Sequence, residues 1–265
     1  MDFTIEKYRD LLTALKMHNN FILRHDVDLR PAFSLRIAQV EAEMGIKATY
    51  YFRTVPESYN EQIIQEIVSL EHRAGYHYEC MTTCNGNLEA AFEDFCRNLE
   101  KLRKIAPIST ACAHGSPRSK WNNQDIWNQY DIHVLGIDYE PMLDTDFSKT
   151  LYLTDTGRRW DGYRVSVRDK VPGHQERWRE EGLSFHKTND IIHAINDISH
   201  PIHHYNLLIN THPQRWMPFG FGWMKEAVLQ NCKNVAKRII VNLKRIKRLQ
   251  KNQQANIHFY SFHSD

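Results

Sequence analysis

Short apolar or aromatic runs alternate with longer stretches of helical periodicity, and this order limits the chain's fold more than any other feature. FILRH at Phe21–His25 reads as a strand, and Ala32–Met44 as a helix that Gly45 stops. KATYYF at Lys47–Phe52 is aromatic and short enough for a second strand. Ile63, Ile64, Ile67, Val68 and Leu70 give Glu61–His72 a helical spacing, and Gly75 separates that helix from the strand-like GYHYE. A further helix is expected over Leu88–Lys104. Strands are expected at Ser109–Ala113, His133–Ile137, Leu151–Thr154 and His204–Asn210. Strands that alternate with crossover helices imply a parallel sheet, either open or closed, and a barrel-like α/β arrangement is the expectation. The stretch Gly157–Gly182, rich in Arg, Asp and Trp with little periodicity, reads as a long excursion.

A length of 265 residues suits one domain over 1–265, and the 42% hydrophobic and 25% charged content argues against disorder. Lysines and arginines number 34 against 32 acids, a net charge of +2 that gives no reason to expect nucleic acid as main partner. The start, MDFTIEKYRDLLTALK, lacks the apolar core of a secretory signal, and no run is apolar enough to span a membrane. Cys80, Cys84, Cys96, Cys112 and Cys232 form no C-x-x-C pair and read as reduced thiols. A cytoplasmic protein is the expectation.

Chemistry concentrates at the predicted strand ends, which a parallel α/β fold gathers on one rim. In RHDVD, Asp26 and Asp28 alternate after an apolar strand, so extended backbone puts both on one face. One can then bind a metal while the other serves as base toward a water, although acids after strands also cap helices. His77 and Glu79 alternate in the same way and offer a pairing suited to zinc. His114 precedes Gly115-Ser116-Pro117, and His212 ends the clearest strand, followed by Pro213.

Together these segments resemble the polysaccharide deacetylase family, the NodB-homology group built on a distorted (β/α) barrel. RHDVD, KATYYF, HRAGYHYE, HGSP and INTHPQ follow the order of the family's motifs over Asn20–Trp216. The resemblance implies Asp26 as catalytic base, Asp28 and His77 as metal ligands, and His212 as general acid. The activity it implies is metal-dependent N-deacetylation of an N-acetylated sugar or glycolipid precursor, with zinc, or cobalt or nickel, as the ion. Val27 separates acids that are adjacent in the family, and Met81 stands where a second metal histidine is usual. Glu79, His114 or a water is expected to replace that ligand. Asp155, Arg159 and Trp160 are expected near the substrate, with Tyr78 and Trp216 as aromatic surfaces for sugar. Two other readings remain: a degenerate barrel that binds glycan without hydrolysis, and an amidase on a non-sugar substrate.

Near the end, Val235, Ile239, Leu243, Ile246 and Leu249 recur at helical spacing among lysines and arginines. A basic amphipathic helix over about residues 224–252 is expected, either docking its apolar face on the barrel or lying on an anionic membrane.

Overall fold

A computed structural model describes residues 1–116, 118–164, 166 and 168–235. Its strands are β1 (Phe21–Val27), β2 (Thr49–Phe52), β3 (Arg73–Tyr78), β4 (Ala111–Ala113), β5 (Thr150–Thr154) and β6 (Asn206–Thr211). They form one sheet in the order β4-β3-β2-β1-β6-β5, parallel at every pairing and curled into a half barrel. The helices are α1 (Ile5–Leu15), α2 (Pro31–Glu43), α3 (Glu61–Ser69), α4 (Cys80–Thr83), α5 (Leu88–Arg103), α6 (Pro141–Asp144), α7 (Gln175–Glu180) and α8 (Thr188–Asn196), and residues 221–235 are helical as well. No helix among the described residues is long and apolar enough to cross a membrane.

Alternation along each strand divides the side chains between two environments. On β1, His25 meets helix α2, while Arg24 and Asp26 face a cavity at the inner side of the curl. Register repeats the division on the neighbours. His25 pairs with Tyr50 of β2 and Thr211 of β6, Asp26 pairs with Tyr51, and His77 of β3 pairs with Cys112 of β4. At Gly75 a β-carbon would stand 2.6 Å from the Tyr51 ring, so any larger residue there would force this ring to move.

The helix-facing side contains a buried polar knot. Glu41 of α2 is fully buried and accepts from Tyr8 of α1, from Tyr50 Oη at 2.5 Å and from His25 Nε2 at 2.8 Å. Burial alone raises a carboxyl pKa, but His25 and the two tyrosines outweigh it and hold Glu41 below its ordinary value. The knot fixes α1 and α2 to β1 and β2.

Several elements differ from the sequence reading: helices α1, α4, α6, α7 and α8 have no counterpart in it, and one expected strand is absent. His133–Ile137 is a 3-10 turn over His133–Leu135, not a strand. Asp131 Oδ1 accepts from the His133 amide, and Gly136 at φ 69° ends the turn, so the run is too short to extend. Helix α1 was not expected. Thr4 caps it by accepting from Lys7 N, and Tyr8, Leu11, Leu12 and Leu15 bury one helical face. Residues 236–252 of the expected basic helix lie outside the described residues.

Candidate metal centre and its acid–base neighbours

The C-terminal ends of β1, β3, β4 and β6 open into a cavity of about 450 Å³. Asp28 stands at its floor, one residue beyond β1. Its Oδ1 is buried without a hydrogen-bond partner, 3.5 Å from His77 Nε2 and 3.6 Å from His114 Nε2. Donor atoms of Asp28, His77 and His114 lie within 4.8 Å of one another. Two ligands of one tetrahedral zinc stand about 3.3 Å apart, so the two separations from Asp28 are close to what a shared cation requires.

Each imidazole is oriented from behind. The Cys112 carbonyl, which can only accept, lies 3.0 Å from His77 Nδ1. This makes Nδ1 a donor and points Nε2 toward Asp28. His114 Nδ1 lies 3.0 Å from Glu79 Oε2, leaving Nε2 toward Asp28 in the same way. Burial opposes the charge on Asp28, yet His77, His212 and His114 hold its carboxyl far below the carboxylate range.

Glu79 therefore does not sit among the donors, contrary to the alternation argument. Backbone extension ends at Tyr78, and α4 begins at Cys80. Glu79 turns to Arg53, whose Nη2 donates to Oε1 at 2.7 Å, and stands behind His114. Burial raises its pKa, but His114 and Arg53 bring it down to about 2. Met81 is buried in the core, and the third donor comes from His114 after β4.

Asp26 occupies the same cavity. Asn210 Nδ2 donates to its Oδ2 at 2.8 Å and Arg24 Nη2 at 3.3 Å, while Oδ1 is buried without a hydrogen-bond partner. Burial raises its pKa, but Arg24 first, then His77 and His212, lowers it below the usual value. An ionised oxygen free to accept is what a base in a closed site needs.

His212 borders the cavity opposite, with Nε2 3.7 Å from Asp28 Oδ2. Asp155, fully buried, accepts from His212 Nδ1 at 2.6 Å, from the His212 amide at 3.0 Å and from Trp216 Nε1 at 2.8 Å. Arg215 Nη1 reaches Asp155 Oδ1 at 2.6 Å. Burial raises the Asp155 pKa, yet Arg215 and His212 hold it down at about 2. Asp155 Oδ1 accepts the Nδ1 proton of His212 and Arg215 Nη1 lies 2.9 Å from the same nitrogen, so Nδ1 is engaged beneath the ring and Nε2 faces the cavity.

The expected substrate contacts move elsewhere. Asp155 lies beneath His212, not in the cavity wall. Tyr78 is buried, with its hydroxyl between Glu140 and Trp127. Trp160 donates to Thr188 Oγ1 at 2.9 Å. Trp216 is buried against Phe3 and Tyr8, and Arg159 is paired with Asp161. The cavity walls instead include Met142, Phe147, Tyr152, Val171 and Pro172. Arg24, Asn210 and Arg215 were not singled out from the sequence. Alternation could have found the first two, at two residues before Asp26 and before His212.

Compared with family models, with curated proteins and with solved structures, the chain finds no match in any of the three.

Proposed function

We propose that this chain is a metal-dependent hydrolase that cleaves the amide of an N-acylated amine, with an N-acetylated sugar or glycolipid precursor as the substrate class. The observation that carries the reading is the buried, unpartnered Asp28 oxygen. It faces two imidazoles turned toward it, with Asp26 and His212 in the same cavity. The curled parallel sheet is compatible with the distorted barrel of the polysaccharide deacetylase type. His114 in place of a histidine at Met81 weakens the case for a non-catalytic binder.

Asp28, His77 and His114 would hold the cation, and imidazole with carboxylate suits zinc, with cobalt or nickel as substitutes. The ion supplies Lewis acidity toward the acyl carbonyl and the attacking water. Asp26 accepts the water proton on Oδ1, while Arg24 and Asn210 keep Oδ2 in place. As oxygen bonds to the carbonyl carbon and the C–N bond breaks, His212, acting as the imidazolium with both ring nitrogens protonated, gives its Nε2 proton to the departing nitrogen and keeps the Nδ1 proton hydrogen-bonded to Asp155. Asp155 keeps the ring turned for that transfer. The products are a carboxylic acid and a free amine.

The test is acetate release from N-acetylhexosamines and their short oligomers by zinc-loaded protein, beside Asp26→Asn and His212→Gln. Release that both substitutions abolish supports the reading, and release that survives both contradicts it.

A further inference from the structure

Helix residues 221–235 turn most of their large apolar side chains, though not Trp223, away from the protein they pack on. Trp223, Ala227, Gln230 and Asn234 recur at helical spacing and form the inward face. Gln230 and Asn234 are buried and bonded to each other, and Asn234 Nδ2 donates to the Gly157 carbonyl at 2.7 Å. Trp223 Nε1 donates to the Asp2 carbonyl at 3.0 Å. Phe221, Met224, Val228 and Val235 form a separate stripe that is 79%, 47%, 62% and 58% exposed. Of the apolar positions expected on the basic helix, Val235 alone lies among the described residues, and it is 58% exposed.

Charge indicates what covers the stripe. From Ala227 to Ser264 the sequence has eight lysines and arginines and no aspartate or glutamate. An apolar stripe followed along the sequence by a run of cationic residues matches a lipid surface with anionic headgroups, which takes apolar side chains into the acyl boundary and attracts the bases. A nucleic acid backbone would use the charge but leave Phe221 and Val228 in water. A second copy of this chain would bring like charge against like.

We propose that this helix is a docking surface for an anionic lipid bilayer, which goes beyond the hydrolase reading and does not depend on it. The experiment is sedimentation of the full chain with phosphatidylcholine vesicles, with or without about 30 mol% phosphatidylserine. The protein is expected to sediment with the anionic vesicles and to be released by salt. Substituting both Phe221→Ser and Val228→Ser is expected to weaken partition by about tenfold or more, because two apolar side chains lose their burial. A second pair, Met224→Ser with Val235→Ser, guards against a folding defect in the first, and both are checked by thermal unfolding.

Equal sedimentation with the two vesicle types would overturn the proposal, as would partition unchanged in both variant pairs. So would a dimer in light scattering that either pair dissociates, since the stripe would then belong to a second copy. Retention on single-stranded RNA that is indifferent to the apolar substitutions, without vesicle binding, would assign the charge to a polyanion instead. Neither the vesicles nor these variants involve Asp26, Asp28, His77, His114 or His212, so acetate release reports separately on the hydrolase reading.

Discussion

His212 Nδ1 lies 2.6 Å from Oδ1 of the fully buried Asp155, and this contact settles which ring nitrogen of His212 faces the cavity. Asp155→Asn replaces an acceptor with a group that can also donate, and so frees the ring to take the other tautomer. Amide hydrolysis is expected to fall by roughly 10²-fold to 10⁴-fold. Cation content, measured by elemental analysis, is expected to stay at the natural level, because Asp155 is not among the donors.

Acid stability follows from the same carboxylate. Its pKa falls from an ordinary 3.8 to about 2 in the folded chain. A depressed carboxyl stabilises the fold above its unfolded value and loses that contribution as pH falls through the folded value. Between about pH 4 and pH 2 the natural protein should therefore lose on the order of 2 kcal/mol at this group. Urea midpoints taken across that window should fall more steeply for the natural chain than for Asp155→Asn.

Glu79 acts on the centre through His114. Glu79→Ala removes the acceptor that orients the ring and is expected to weaken zinc affinity by about 10-fold to 100-fold without abolishing it. Competition with a chromophoric chelator would measure this. Loss as complete as in Asp28→Ala would instead make Glu79 a direct ligand.

Glu41 tests the fold apart from the site. Glu41→Ala leaves His25, Tyr8 and Tyr50 without their shared acceptor and is expected to cost about 3–5 kcal/mol in denaturant unfolding. Zinc affinity of the folded fraction should not change, since the knot lies on the opposite face of β1 from Asp26.

Where strands are extended, the sequence reading reached the right neighbourhood. Asp26, Asp28, His77, His114 and His212 end strands, or follow them by a residue, and the structure gathers them around one cavity. The same rule failed for Glu79 because extension stops at Tyr78 and α4 follows immediately. Aromatic residues misled for a different reason. Trp216 is held in the core by Phe3 and Tyr8, which arrive from the other end of the chain, and no local pattern encodes that meeting. The polarity of the terminal helix was likewise set by partners far away in sequence, Gly157 for Asn234 and Asp2 for Trp223.

The most direct test of the central claim is zinc titration of the natural protein beside Asp28→Ala and His77→Ala, followed by calorimetry and elemental analysis. The account predicts one tightly held ion per chain, lost in both variants while their circular dichroism remains native. If the natural protein binds no zinc, cobalt or nickel, or if both variants bind as well as it does, the metal centre is contradicted.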